Sequence, residues 1–316
     1  MKYRKLGRSG LKVSEISLGS WLTYGGSTDK KTAIEVIDQA YELGINFFDT
    51  ANVYAHGKAE EIVGEALSKY PRESYVLASK VWGPMGEGPN DKGLSRKHIT
   101  EQADASLKRL GHDYMDIYYC HRFDPDTDLH ETLRAFDDLV TRGKILYMGV
   151  SNWTALEISS ALAIADRYLL DRMIVSQPIY NMFSRQIEGE LLPFCEANGI
   201  SQAVYSPLAQ GVLTGKYLPG KEAPQDSRAK DPDSSAFIAR FIQEDRLIKA
   251  EKLRLIADSL DIRLSNLALA WILRQKGVAS AIVGASRREQ IIENSNASGI
   301  KLDDETLMDI EAILEE

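Results

Sequence analysis

Two cysteines in 316 residues, Cys120 and Cys195, are too few for a disulfide framework or a zinc knuckle, and they fit a reducing compartment. No uninterrupted apolar run approaches the length that spans a bilayer. The opening MKYRKLGRSGLKVSEISLG lacks the apolar segment of a secretory signal. A cytoplasmic protein is therefore expected, and Asn152-Trp-Thr and Asn296-Ala-Ser read as chance glycosylation sequons. The formal net charge of -8, from 38 basic and 46 acidic residues, argues against a nucleic-acid surface. The five histidines show no ligand spacing, and His130-Glu-Thr-Leu-Arg134 lacks the second histidine of a zincin, so no metal is expected. Also missing is a Gly-x-Gly-x-x-Gly fingerprint after the first strand, the usual sign of a dinucleotide site in an open doubly wound sheet. The segment Gly211-Val-Leu-Thr-Gly215-Lys216 is one residue short of a phosphate-binding Walker loop, and Tyr217 stands where serine or threonine would follow.

What is present is a regular alternation. Short β-rich runs occur at 16–20, 46–50, 75–80, 115–121, 145–151, 174–178, 201–207 and 280–286. Between most of them lie helical periods, such as Ala33, Val36, Ile37, Ala40 and Tyr41, or Leu129, Leu133, Phe136, Leu139 and Val140. Eight such units with no second composition regime predict an α/β chain folded as one closed parallel (β/α)8 TIM barrel over residues 1–316, not two domains. The stretch 209–243, rich in Gly, Pro, Asp and Ser, is too long for an ordinary barrel loop and reads as a lid or linker.

Catalytic groups of such barrels sit where strands end at their carboxyl side. Asp49 closes NFFDT, Tyr54 follows in ANVYAHGKAE, Lys80 closes YVLASK and His121 closes MDIYYCH. Their types suit one task, donating a proton to a carbonyl oxygen. A lysine ammonium about 4 Å from a phenolate attracts it by roughly 4 kcal/mol at an effective dielectric of about 20, nearly three pKa units before desolvation opposes it. Asp49 would keep Lys80 charged and aimed, and His121 would orient the substrate oxygen. Taken singly, Asp49 could cap a helix, Lys80 could form a rim salt bridge, Tyr54 could simply pack, and His121 could be a satisfied core histidine. Their joint placement at successive strand ends favours the catalytic reading. Strand alternation points Cys120 away from His121, against a thiol mechanism.

These residues sit in segments that resemble the aldo-keto reductases: GINFFDTANVYAHGKAEEIVGEAL, YVLASKVWG, MDIYYCHR, GVSNW and VYSPLAQGVLTGKY. The resemblance covers essentially the whole chain. Through GSWLTYGGS, GLSRKHI, DPDTDLHETLRA and GASRREQIIEN it is nearest to the branch of potassium-channel β subunits and their bacterial relatives. It implies a (β/α)8 barrel with an N-terminal β-hairpin, a long cofactor-covering loop, and NADPH bound without a Rossmann fold. It also implies reduction of aldehydes or ketones, with Asp49, Tyr54, Lys80 and His121 as the tetrad and Tyr54 as general acid. Histidine at 121, where animal channel β subunits commonly carry asparagine, favours an active reductase. No long extension precedes the barrel, so no channel-plugging segment is expected.

The same resemblance implies cofactor contacts. Ser151, Asn152 and Gln177 match the residues that hold the carboxamide, Tyr205 the aromatic under the nicotinamide, and Ser20 and Trp21 the lining at the end of the first strand. Ser206, Pro207, Leu208, Gln210, Gly211 and Lys216 follow the segment beneath the pyrophosphate, with Arg228 in the long loop. Gly284, Ser286, Arg287, Gln290, Glu293 and Asn294 match the adenosine end, where Arg287 would meet a 2′-phosphate. Lys216 and Arg228 could also be solvated loop charges. Ser286 and Glu289 have capping-box spacing, so Ser286 could simply begin a helix. Thr154 and Glu157 already provide such a box, leaving Ser151 and Asn152 for another task. Three functions are weighed: a carbonyl reductase, an NADP(H)-binding redox sensor or channel-associated subunit, and a Schiff-base lyase using Lys80. The partner is a small carbonyl compound, and the oligomer is either the tetramer of the channel branch or a monomer.

Overall fold

In the computed structural model, which describes residues 1–225, 227–231 and 235–316, the eight runs become the staves of a barrel. Two short strands come first, β1 (Tyr3–Lys5) and β2 (Lys12–Ser14). The barrel follows: β3 (Ile16–Gly19), β4 (Phe47–Asp49), β5 (Val76–Val81), β6 (Met115–Cys120), β7 (Ile145–Ser151), β8 (Val175–Gln177), β9 (Ser201–Tyr205) and β10 (Val278–Val283). All pair in parallel, and β10 closes the ring between β9 and β3. The helices are α1 (Lys30–Glu42), α2 (Lys58–Leu67), α3 (Arg96–Leu110), α4 (Leu129–Thr141), α5 (Ala155–Tyr168), α6 (Leu191–Ala197), α7 (Ser235–Ala239), α8 (Glu244–Ser259), α9 (Leu264–Leu273), α10 (Arg288–Ser295) and α11 (Asp304–Glu315). Asp29, Ser95, Asp128, Thr154 and Asp303 cap their helices by accepting from backbone N–H groups, each cap contributing about 1 kcal/mol. Among the described residues no helix is long and apolar enough to cross a membrane.

The period of two along each strand divides the core. Phe48, Leu77, Tyr118, Cys120, Val150 and Val204 face the helices, whereas Phe47, Val76, Ala78, Ile117, Tyr119, Val175 and Ala203 fill the barrel. The interior is solid because β7 presents Gly149 opposite Tyr119; a Cβ there would lie 2.5 Å from the phenol ring. Below this layer the antiparallel pair β1–β2 plugs the amino-terminal end with Leu6 and Val13. Arg4 locks the plug, pairing with Glu15 at 2.8 Å and donating to the carbonyls of Leu273 and Val278 at 2.8 Å each. The bottom is thereby sealed, which leaves the carboxyl end of the barrel to hold a site.

Candidate active site

One strand period above the apolar layer the interior turns polar. Phe47 leads to Asp49, Ala78 to Lys80 and Tyr119 to His121, so alternation lifts all three onto the rim. Lys80, with no exposed side-chain surface, donates from Nζ to Asp49 Oδ1, to the Thr50 carbonyl at 2.8 Å and to the Tyr54 hydroxyl at 3.2 Å. Every N–H of the ammonium thus has an acceptor. The other Asp49 oxygen accepts from Gln177 Nε2 at 2.8 Å. His121 Nε2 lies 3.5 Å from the Tyr54 hydroxyl, its ring edge-on to the phenol at a centroid distance of 5.6 Å.

Tyr54 reaches this position through a tight turn, Tyr54–Gly57, in which Ala55 and His56 take φ of 47° and 50°. Left-handed backbone is costly for such residues. Of the nine non-glycine residues with positive φ among the described residues, Leu22, Ala55, His56, Asn152, Ser206, Ala209 and Gln210 leave the carboxyl ends of barrel strands. Strain is therefore concentrated around the mouth.

A second group extends from the first. Ser151 Oγ donates to the Gln177 carbonyl at 2.8 Å, Asn152 Nδ2 to Ser151 Oγ at 3.1 Å, and the Tyr205 hydroxyl to Asn152 Oδ1 at 2.9 Å. The capping box of Thr154 and Glu157 forms as expected, so helix α5 starts without drawing on Ser151 or Asn152. Trp21 stands above, 6.5 Å from Tyr54, 6.2 Å from Tyr205 and 5.1 Å from Phe237 between ring centroids. Ser20 is buried beneath it, bonded to Thr50 Oγ1 at 2.9 Å and to the Asp49 carbonyl at 3.2 Å, where it stitches β3 to β4.

After β9 the chain passes Ser206, Pro207 and Leu208 into the turn Ala209–Thr214. Gln210 gathers this segment, donating to Ser206 Oγ at 2.6 Å while its side-chain carbonyl accepts from Arg228. Gly211 has φ of 104°, and Lys216 lies against it, so that an added Cβ would meet Cε at 3.1 Å. Lys216 and Arg228 therefore converge on one turn. At the end of β10 an added Cβ on Gly284 would meet only Thr23 Cγ2, at 3.9 Å, so the surface there is open. The Ser286–Glu289 capping box does not form. Helix α10 begins after Arg287, without a side-chain cap, because the Ser286 N–H is taken by Gln290 Oε1 at 2.8 Å. Glu293 is turned toward α9, accepting from Ser265 Oγ at 2.7 Å and pairing with Arg263 at 3.2 Å, and Asn294 is buried.

A model of the aldo/keto reductase family matches residues 15–315 of this chain. The chain belongs to that family. A protein of Arabidopsis thaliana named "Probable voltage-gated potassium channel subunit beta" is 46% identical over 301 residues, covering 94% of this chain and 91% of the relative. One of Oryza sativa subsp. japonica with the same name is 44% identical over 321 residues, covering 100% of this chain and 97% of the relative.

The electrostatics of this aldo/keto reductase correct one expectation. Burial pushes the Tyr54 phenol well above its usual value, and the charge of Asp49 adds to the effect, with Arg122 opposing. Burial outweighs the cationic neighbours, and the charges of Asp49 and Tyr205 act in the same upward direction. Burial also lowers Lys80, against the pull of Asp49. His121 is driven well below the usual imidazole value by burial and by the charges of Lys80 and Arg122, and so stays neutral. Cys120 is buried on the helix side with its thiol pushed up, as alternation predicts. Thr50, Arg122, Phe237 and Arg240 are site neighbours that motif reading missed. The His-Arg pair at the end of β6 was the one signal available for Arg122.

Proposed function

We propose that this chain reduces aldehydes or ketones to alcohols with NADPH. The observation that carries the reading is the Lys80 ammonium held between Asp49 and Tyr54, with His121 beside the same hydroxyl. The donor set fits the cofactor. Ser151, Asn152 and Gln177 offer amide and hydroxyl partners for a carboxamide, Lys216 and Arg228 flank one turn as a pyrophosphate needs, and Arg287 is exposed in the short segment that follows Gly284. When bound, NADPH supplies the hydride that adds to the carbonyl carbon. The Tyr54 hydroxyl gives its proton to the carbonyl oxygen, and solvent returns a proton to the phenolate. Lys80 steadies that phenolate at 3.2 Å, and Asp49 holds Lys80 in place. The neutral His121, its Nε2 3.5 Å from the Tyr54 hydroxyl, orients the carbonyl oxygen.

Replacing Tyr54 with Phe lowers turnover by about 100-fold or more while NADPH affinity stays nearly unchanged. Equal activity in both proteins would remove Tyr54 from the acid role, and protein that binds no NADPH would end the reading. A second reading, an NADP(H)-binding regulatory subunit acting in the cytoplasm, alone or as a tetramer, is favoured by the names of the relatives. It expects tight cofactor binding with little turnover for the Phe variant to lose. The intact tetrad, with histidine at 121, favours the enzyme.

A further inference from the structure

Two arginines at the mouth make no contact in the chemistry above, where Arg122 enters only through its charge. Arg122 follows His121 directly, and its guanidinium lies 6.0 Å from the Trp82 ring centroid. Arg240 follows α7, whose Phe237 ring packs on Trp21, and its guanidinium lies 4.7 Å from the Phe241 ring. Both are exposed, and among the described residues neither is ion-paired, unlike Arg72 with Asp116 or Arg109 with Glu60. Their loops leave different strands, yet one follows His121 and the other follows the helix that packs on Trp21, and both charges reach Tyr205. The charge of Arg122 is felt at Tyr54, His121 and Tyr205, and that of Arg240 at Tyr205. The mouth beside them is aromatic, with Trp21 against Tyr54, Tyr205 and Phe237.

An apolar waist with cations at its rim suits an amphipathic molecule. A guanidinium lying against a ring keeps its N–H edge for a planar oxyanion. With a chain charge of -8, attraction of an anion depends on such local groups. We infer that the substrate is an aldehyde or ketone carrying a carboxylate or phosphate remote from its carbonyl, with that anion on Arg122 and Arg240 while the carbonyl oxygen meets Tyr54 and His121. This rests on the carbonyl-reductase reading.

The test uses the full chain with saturating NADPH and two substrate pairs. One is 4-formylbenzoate against its methyl ester; the other is 4-formylphenyl phosphate against 4-methoxybenzaldehyde. The readout is the ratio of kcat/KM, anion over neutral partner, compared across variants so that intrinsic reactivity of each aldehyde cancels. In at least one pair the ratio falls about fivefold in Arg122→Gln and in Arg240→Gln, and less in Arg122→Lys, on the scale of exposed ion pairs. For the wild type it also falls as salt is raised. The pair with the larger fall identifies the anion. A ratio that is the same in wild type, both Gln variants and their double variant overturns the inference and leaves carbonyl reduction standing. If protein that holds NADPH reduces none of the four aldehydes, the parent reading fails, and the inference with it.

Discussion

Lys80 and Asp49 form a buried ion pair at the centre of the barrel mouth, with 0% and 5% of their side-chain surface exposed. Both charges are out of water, so each depends on the other. Asp49→Asn is expected to destabilise the fold by about 3–5 kcal/mol, because it leaves a buried ammonium without its counter-charge. Adding Lys80→Met removes that orphan, and the double variant should unfold at a higher urea concentration than Asp49→Asn alone. Strictly additive losses would mean that the two groups are not coupled.

The opposite shifts of Tyr54 and His121 fix the pH behaviour of reduction. The phenol, raised well above its usual value, stays protonated through alkaline pH; the imidazole, lowered well below its usual value, stays neutral through mildly acidic pH. The reactive pair of states therefore persists across the neutral range. A profile of kcat/KM for an aldehyde should show no bend near the ordinary imidazole value of about 6.5. A bend there that disappears in His121→Asn would show the imidazole titrating as if in water.

Arg287 is exposed and stands directly before α10, in the short segment that follows Gly284. NADPH and NADH differ only in the 2′-phosphate, so their comparison isolates this contact. Arg287→Gln should weaken NADPH by about tenfold and NADH much less, the scale of a charge-assisted hydrogen bond. Fluorescence titration with both cofactors measures it, and an unaltered preference rejects the assignment.

Sequence pattern brought Asp49, Lys80 and His121 to one rim because each marks a local event, the end of an alternating strand, whereas Tyr54 reaches them through the turn that follows β4. Phe47 to Asp49 and Ala78 to Lys80 are two-residue steps that need no knowledge of the rest of the chain. The Gln177 bond to Asp49 was beyond reach, since it joins residues 128 positions apart. So was the sign of the Tyr54 shift, which depends on how deeply the phenol is buried and on its nearness to the charge of Asp49. Arg240 and Phe237 lie in the long segment after β9, where no periodicity indicates which side chains turn inward. The Ser286 capping box failed for a local reason, a competing bond from Gln290 that spacing alone does not reveal.

Directly beneath the tetrad, Tyr119 occupies the room that Gly149 leaves on the facing strand. Glycine weakens a strand, and its place within β7 follows from the close approach of Tyr119 and of Val175 on β8. Gly149→Ala would place Cβ 2.5 Å from two carbons of the Tyr119 ring. A barrel packed to its axis cannot move the ring aside without displacing its neighbours, so the change should destabilise by about 1–3 kcal/mol. The clash is with two side chains, since the same Cβ would lie 2.8 Å from Val175 Cγ1, and Tyr119→Leu should return part of that loss in the double variant, read from urea midpoints at constant slope. If Gly149→Ala is as destabilising in the Tyr119→Leu background as in the wild type, the glycine makes room for Val175 or serves the backbone of β7, and not the ring it faces.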